Sequence, residues 1–215
     1  MLIKSELLNS FKMKSARLNP HARLSRDYSP QELTEIARQI SATHRKVYAD
    51  QDSPIMPDQV FIEFLIQREG ADYTAVVYDP EQGGTPKGPY IGYIMAVPVT
   101  PINFHMFFQS VIATAGLQRA TQLFQELLQE GRKILYVADL ARLRTDTAKR
   151  EMASMYLDLI SQMIDVGGIT ILAVVRPNTS YQVLQRLSKQ GVLSLRYDEP
   201  LNVFGQPYRA IIADI

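Results

Sequence analysis

KILYVADL (133–140) opens the stretch that decides the fold, and it is followed by ARLRTDTAKR (141–150), EMASMYLDLISQMIDVGG (151–168) and ITILAVV (169–175). The two outer segments are short, rich in β-branched residues and nearly all apolar, as are strands that are covered on both faces. Between them, apolar residues recur at steps of three and four, which predicts a helix over about 150–165 that packs on a sheet. The residues of this stripe are Met152, Met155, Tyr156, Leu159, Ile160, Met163 and Ile164. A strand, a crossover helix and a second strand predict a parallel βαβ unit.

Helix and hairpin signals precede this unit. Ser29-Pro30-Gln31-Glu32 predicts a helix start, with Ser29 as N-cap and Glu32 closing a capping box. A second helix is predicted over about 58–70. Segments 72–78 and 90–98 are strand-like and are joined by a loop dense in Gly and Pro, which predicts a hairpin. A further helix is predicted over 104–129.

The whole chain is predicted to have a mixed α/β (α+β) fold, with a central sheet flanked by helices. Two final strands are predicted over 193–197 and 208–214, so the sheet should be antiparallel at the hairpin and at the C-terminus and parallel in the middle. Residues 1–28 are predicted to form an N-terminal arm with a short edge strand. Residues 29–215 are predicted to form a single domain, with a helical insertion (104–130) before the central strand.

Composition excludes several classes of function. The net charge of +1 argues against a dedicated nucleic-acid binder. The absence of cysteine excludes disulfides and thiolate chemistry, and the three histidines lie far apart, so no metal site is expected. No apolar run resembles a signal peptide or is long enough to cross a membrane. We therefore expect a soluble, cytoplasmic protein with a substantial core.

The loop between the first strand and the helix carries four cations, namely Arg142, Arg144, Lys149 and Arg150. Backbone N–H groups and the helix dipole favour a phosphate at a helix N-terminus, and cations nearby strengthen such a site. The alternative is a solvated loop in which Asp146 is a local partner of these side chains. Spacing alone leaves both interpretations open.

Asp139 lies in an otherwise apolar strand. A carboxylate with a raised pKa in a cleft could accept the proton of an attacking amine. The alternative is an aspartate at a strand end that accepts hydrogen bonds from the backbone or from an arginine. Asn178 is a natural N-cap for the following helix, whether or not it also contacts a ligand. His44 and Tyr48 lie one turn apart, where they form either one side of a cleft or an ordinary amphipathic face.

The element order and these residues resemble the acyl-CoA N-acyltransferase fold of the GNAT superfamily. The resemblance covers about residues 30–215 and is carried by YVADLAR (136–142) with the basic loop after it, by Gly168 before the second strand, by Asn178, and by the hairpin with Gly92 in its second strand. It implies transfer of an acyl group from an acyl thioester, acetyl-CoA or a longer acyl-CoA, to an amine, without a metal. The acceptor would be a small-molecule or protein amine.

The resemblance also implies a set of contacts to coenzyme A. They are Leu140, Arg142, Arg144, Arg150, Ala153 and Asn178. The family's glycine-containing pyrophosphate loop has its nearest fit at Arg150–Met155, with Ala153 and Met155 at the two small positions. In the family, a tyrosine on the last helix protonates the departing thiolate. Gln185 stands at that position here, and Tyr181 is expected to substitute only by coming from a different face of the helix.

A subgroup of this superfamily, the autoinducer synthases and long-chain N-acyl amino acid synthases, is similar in further details. The chain has Arg45-Lys-Val47-Tyr48 in the first helix, the insertion before the central strand, and Asp139-Leu-Ala-Arg142. This likeness implies acyl carrier protein as an alternative donor, because an acidic carrier suits a basic surface. The apolar cluster Phe104–Phe108 is expected to be buried, with an acyl tunnel or a homodimer contact as the alternatives.

Three functions therefore compete. The first is an N-acyltransferase with Asp139 as the base and Tyr181 as the catalytic tyrosine. The second is a GNAT-fold binding or regulatory module that no longer catalyses, which the altered loop and Gln185 favour. The third and weakest is a nucleic-acid-associated protein that uses the basic loop.

Overall fold

The computed structural model describes residues 20–48, 62–63, 66, 73–82, 89–99, 122, 125–177, 179–203 and 205–215. The strands are β1 (Ala22–Leu24), β2 (Ala75–Tyr78), β3 (Tyr90–Pro98), β4 (Lys133–Arg142), β5 (Ile169–Val175), β6 (Ser194–Val203) and β7 (Gln206–Asp214). The longer helices are α1 (Pro30–Tyr48), α2 (Asp146–Val166) and α3 (Thr179–Lys189). Most of the predicted helix over 58–70 and most of the helical insertion lie outside the described residues, although residues 62–63 and 125–129 are helical.

The strands are hydrogen-bonded in the order β1-β2-β3-β4-β5-β7-β6. β4 and β5 are parallel, from Lys133↔Ile169 to Val137↔Ala173, whereas β1–β2, β2–β3, β5–β7 and β6–β7 are antiparallel. The prediction of a mixed sheet with a parallel pair in the middle is therefore confirmed. β4 continues for five residues beyond its last pair with β5 and ends at Arg142.

Contacts between Cα atoms divide the chain into two compact units. One unit, called here the hairpin unit, contains residues 14–97 and 138–161. The other, called the C-terminal unit, contains the described residues between 98 and 137 and those from 162 to 215. The prediction of an arm followed by one domain stays a prediction, although β1 is an edge strand, as expected for the end of that arm.

In the hairpin unit, α1 begins as its sequence predicts. The Ser29 hydroxyl accepts the backbone N–H of Glu32 at 3.3 Å, and the Glu32 carboxylate accepts the N–H of Ser29 at 2.8 Å, which is a complete capping box. The buried face of α1 includes His44, which is 3% exposed and whose Nδ1 lies 3.1 Å from the Tyr93 hydroxyl. His44 therefore belongs to a packed helix face, and the side chain of Tyr48 lies outside the described part.

Close packing holds α2 against β3 in the same unit. Met152 is 2% exposed, and its side chain lies directly over Gly92, where a Cβ atom would come within 2.4 Å of the sulfur. Because Gly92 has no side chain, Met152 can fill the space above it, and the helix can approach the sheet closely. The predicted stripe is confirmed as core at Met152, Met155, Leu159 and Met163.

The C-terminal unit has its own core, formed on one face of β4, β5, β7 and β6. Its buried members are Leu127, Ile134, Leu172, Tyr197, Leu201, Ala210 and Ile212. β6 extends to Val203, six residues beyond the predicted end at residue 197. The added residues include the polar run Asp198-Glu199-Pro200, and β6 is an edge strand, where proline and charged residues are tolerated.

Candidate functional site: the start of α2 and the α3–β6–β7 network

The loop from β4 to α2 is short and tightly bonded. The N–H of Leu143 donates to the carbonyl of Ile91 at 2.8 Å, which fixes the loop to β3. Thr145 is the N-cap, because its hydroxyl accepts the N–H of Ala148 at 3.1 Å and its carbonyl accepts that of Lys149 at 3.0 Å. The N–H groups of the residues at the start of a helix have no partner within the helix itself. The structure therefore presents a rigid helix N-terminus directly after the central strand.

α2 begins at Asp146, four residues earlier than predicted. Arg150 and Ala153 consequently lie in its second turn, both exposed, and Arg150 donates to Glu151 at 3.1 Å. The segment Arg150–Met155 is therefore helical throughout, and the contacts predicted for Arg150 and Ala153 stay predictions. The residues that occupy the loop and the first turn are Leu143–Lys149.

The predicted cations are distributed around this N-terminus. Arg142, the last residue of β4, is half-buried and donates to the carbonyl of Leu143 at 3.1 Å. Arg144 and Lys149 are exposed, on either side of the cap. Leu140, on the same strand, is half-buried. Positive charge thus lies where the positive end of the helix dipole lies, and the two reinforce each other.

A carboxylate that sequence reasoning missed also reaches this helix start. The hydroxyl of Thr147 donates to Glu81 at 2.7 Å, and Glu81 belongs to a short helical turn, Pro80–Gln82, after β2. The carboxylate of Asp79 accepts the N–H of Glu81 at 3.0 Å and so helps to fix this turn. The negative charge of Glu81 interacts favourably with the positive end of the helix dipole. The same charge lies where a phosphate would bind and would repel it. No sequence signal links two residues so far apart along the chain.

Two predicted site residues lie partly or wholly outside the described residues. The backbone of Asp139 lies in β4, three residues before the strand ends, but its side chain lies outside the described part. Asn178 also lies outside the described residues, and α3 begins directly after it at Thr179. The roles predicted for both residues stay predictions.

Tyr181 belongs to a polar network in the C-terminal unit. Its hydroxyl donates to Asp198 of β6 at 2.8 Å and accepts a hydrogen bond from the amide of Gln185 at 2.8 Å. Arg209 of β7 donates to the same aspartate at 2.5 Å, and its guanidinium lies 5.1 Å from the centre of the Tyr181 ring. The hydrogen bond to Asp198 raises the pKa of Tyr181, so this phenol holds its proton more firmly than an ordinary tyrosine does.

This network corrects one expectation. Tyr181 and Gln185 were expected to occupy different faces of the helix, yet residues four apart lie on the same face of an α-helix. The direct hydrogen bond between their side chains shows that they are neighbours. The tyrosine therefore lies one turn from the position that Gln185 occupies, not on another side of the helix.

In the ranges that the structure describes, no three His, Asp or Glu side chains come together in a way that could hold a metal ion. None of the helices described is long and apolar enough to cross a membrane.

Comparison with known proteins gives a likeness in structure only. No protein-family profile matches the chain, and no curated protein matches it in sequence. FeeM, an N-acyl amino acid synthase from uncultured soil microbes, is similar over 89% of this chain and 87% of its own, with a TM-score of 0.55 and 17% identity. The polyamine N-acetyltransferase of Drosophila melanogaster, which forms N-acetylagmatine, is similar over 90% and 99%, with a TM-score of 0.53 and 14% identity.

A third solved structure is NAA60 of Arabidopsis thaliana in complex with acetyl-CoA. It is similar over 89% of this chain and 96% of its own, with a TM-score of 0.51 and 12% identity. At such low identity the likeness concerns the fold. The chain has a divergent GNAT-type fold, and the resemblance found in its sequence is confirmed at the level of the fold.

Proposed function

We propose that this protein is an N-acyltransferase that moves an acyl group from a thioester to an amine. The observation that carries the proposal is the capped, cationic N-terminus of α2, which directly follows the central strand of a GNAT-type fold. The neighbours whose fold it shares include N-acyl and N-acetyltransferases. Fold alone does not fix function, so the proposal depends on the residues at this helix start.

The residues present fit the diphosphate of an acyl-CoA donor in most respects. The backbone N–H groups of Asp146 and Thr147 would bind phosphate oxygens, and Arg142, Arg144 and Lys149 would supply positive charge. Glu81 is the exception, because its carboxylate already accepts the hydrogen bond of the Thr147 hydroxyl. A diphosphate would replace that carboxylate. A donor on acyl carrier protein would bring only the single phosphodiester of its pantetheine arm.

The transfer itself requires two proton movements. As the amine nitrogen bonds to the thioester carbon and the C–S bond breaks, the nitrogen must lose a proton and the sulfur must gain one. We assign the base to Asp139, the carboxylate of the central strand, and hold that Tyr181 is not essential as the acid. Its proton is directed at Asp198 and its pKa is raised. Solvent would then protonate the leaving thiolate, and Tyr181→Phe should change the rate little.

A specific observation also favours a second function, a binding or regulatory module that no longer catalyses. Gln185 stands where the resemblance expects the acid, and its amide is engaged with Tyr181. Glutamine has no ionisable proton to give to a thiolate. A chain that binds a thioester without turnover would have the geometry seen here.

Thermal unfolding with coenzyme A, acetyl-CoA and a long-chain acyl-CoA tests the donor site. A ligand at a hundred times its Kd stabilises by about 2.7 kcal/mol, which raises the melting temperature by roughly 5–10 °C for a chain of this size. The single variants Arg144→Glu and Arg150→Glu separate the two predicted phosphate contacts. Because Arg144 adjoins the cap and Arg150 is one turn further along, we expect the larger loss with Arg144→Glu.

The matched control is Lys189→Glu, an equal change of charge in the last turn of α3. It should leave the ligand shift unchanged. A full shift in the Arg144→Glu/Arg150→Glu double variant would contradict the placement of the donor. A shift by acyl-CoA without formation of coenzyme A in the presence of amines would favour the non-catalytic module. Sedimentation in solution would test the homodimer, which stays a prediction.

A further inference from the structure

The outward face of α2 is apolar along the middle of the helix. Between Arg150 and Asp165, all of which the structure describes, the exposed residues are Ala153 and Leu157, and Leu157 is 37% exposed. A helix on the surface of a protein ordinarily carries charged and polar residues on the side opposite the core. Apolar residues in a continuous exposed row indicate a surface that another molecule covers.

This row continues at the spacing that two packed helices use. Steps of four, three and four residues place successive side chains on one narrow stripe, as at the a and d positions of paired helices. The members of the outer stripe are Ala153 and Leu157, which are exposed, and Ile160 and Ile164, which are half-buried. The stripe that faces the core is a separate set of buried residues. α2 therefore has one apolar side for the sheet and a second that matches a partner helix.

Charges at the two ends of the outer stripe indicate which helix that partner is. Arg150 precedes the stripe, with a side chain that is 69% exposed and an ion pair to its neighbour Glu151, and the exposed Asp165 follows it. A second copy of α2, running antiparallel about a two-fold axis through the middle of the stripe, would bring Leu157 of each copy against Ile160 of the other.

The same axis brings the opposite charges together. It passes between residues 158 and 159, so Arg150 of one copy lies about 3 Å along the helix axis from Asp165 of the other, and on the same side of the seam. A parallel pair would instead place each charge beside its own kind, which is unfavourable. The stripe is therefore complementary to itself in the antiparallel arrangement.

The two edges of the sheet are poorly suited to joining two copies. β1 has three residues, and β6 contains Pro200 and an irregularity in its pairing between Leu195 and Tyr197. Short edge strands, bulges and prolines all disfavour hydrogen bonding to a strand of another molecule.

We infer that the outer stripe of α2 is the contact surface of a homodimer, in which the α2 helices of two copies pack antiparallel. Two helices in contact over about four turns form a small interface, so the dimer is reversible and forms as the concentration rises. The inference does not depend on the donor site. Arg150 is also a predicted phosphate contact, and the experiment is therefore done without any ligand.

Sedimentation velocity over about one to a few hundred micromolar tests the apolar part of the surface. The wild-type protein should pass from monomer to dimer, and Leu157→Glu should stay monomeric because it would bury two carboxylates in the seam. The matched control is Val183→Glu, the same change at an apolar residue of α3 that is 42% exposed, which should leave the dimer unchanged. A wild-type monomer throughout, or a dimer that survives Leu157→Glu, would overturn the inference.

Reversal of charge tests the antiparallel arrangement. Arg150→Glu and Asp165→Arg should each raise the dissociation constant by roughly three- to tenfold, because every dimer has two such exposed pairs. An equimolar mixture of the two variants should recover the wild-type dissociation constant, since each reversed charge then meets its opposite in the other chain. The double variant Arg150→Glu/Asp165→Arg should recover it without mixing. Failure of both to recover would overturn the inference, because a loss of folding or of one charge alone cannot be reversed in this way.

Discussion

Gly92 offers a sharp test of the packing that positions the helix start. In Gly92→Ala the new methyl group would lie 2.4 Å from the sulfur of Met152, 2.7 Å from its Cγ and 3.1 Å from the carbonyl oxygen of Ala141. Both neighbours are buried, at 2% exposure each. The methionine side chain must therefore move within a filled core, and the carbonyl belongs to the backbone of β4 and yields little.

The magnitude follows from two opposing effects. Overpacking of a filled core costs typically about 1–3 kcal/mol. Alanine also restricts the unfolded chain more than glycine does, which returns about 0.4–1 kcal/mol where the native conformation suits it. We expect Gly92→Ala to lower the free energy of unfolding by about 1–2 kcal/mol and the melting temperature by roughly 2–8 °C.

Urea unfolding of four proteins completes the test: wild type, Gly92→Ala, Met152→Ala and the double variant. Met152→Ala alone should cost about 2–5 kcal/mol, because it leaves a cavity. In the double variant the methyl group of residue 92 enters that cavity, so the combined loss should be smaller than the sum by about 1 kcal/mol or more. Additive losses, or a Gly92→Ala protein as stable as wild type, would refute the packing argument.

The remaining predictions concern charged groups. Glu81→Gln should increase the thermal shift caused by coenzyme A, because the carboxylate that accepts the hydrogen bond of the Thr147 hydroxyl also repels a phosphate. An unchanged shift would show that Glu81 does not affect the donor site. Asp139→Asn should lower the acyl-transfer rate by roughly two orders of magnitude at pH 7, the usual effect of a general base, and a normal rate would reject the assignment. The hydrogen bond from Arg196 lowers the pKa of Glu130 below its ordinary 4.5, so its contribution to stability is present above that value and lost as the pH falls through the lower, folded-state pKa. The difference in melting temperature between wild type and Glu130→Gln should accordingly be present at pH 7 and vanish in acid, and a difference that persists at low pH would contradict the role of this ion pair.

Much of the fold could be predicted because its signals are local. β5 has the bounds 169–175 that its apolar run indicated, and α1 starts at the capping box that its sequence indicated. The apolar run fixes the strand and the capping box fixes the helix start, and in neither case does a distant contact compete. The predicted strand ended at residue 197, whereas β6 continues to Val203. Its last residues are polar, and without the neighbouring strand nothing local identifies them as part of a strand. The side of β6 that lacks a strand partner tolerates them, and that is a property of the sheet rather than of the segment.

The start of α2 shows how a helix can be found while its functional end is misplaced. The apolar stripe begins at Met152, so periodicity placed the first turn near residue 150. The true first turn contains Asp146, Thr147 and the buried Ala148, which contribute almost nothing to a stripe. The cap signal was nevertheless present, since Thr145 followed by Asp146 is a favourable N-terminal pair. The N-cap residue therefore indicates where a helix begins, and with it a ligand site at the helix end, more accurately than the apolar stripe does.

The polar contacts at the start of α2 and at the end of β5 depend on pairs that no local pattern connects. Glu81 and Thr147 are 66 residues apart, and Arg176 and Tyr208 are 32 apart. A single arginine at a strand end has no periodicity, and only the sheet register, which pairs Val175 with Arg209, shows that its neighbour is a tyrosine rather than an acid. The same sequence with a carboxylate at 208 would give a structural ion pair there. The environment of Arg176 therefore depends on its partner on the neighbouring strand, and that partner is determined by the sheet topology.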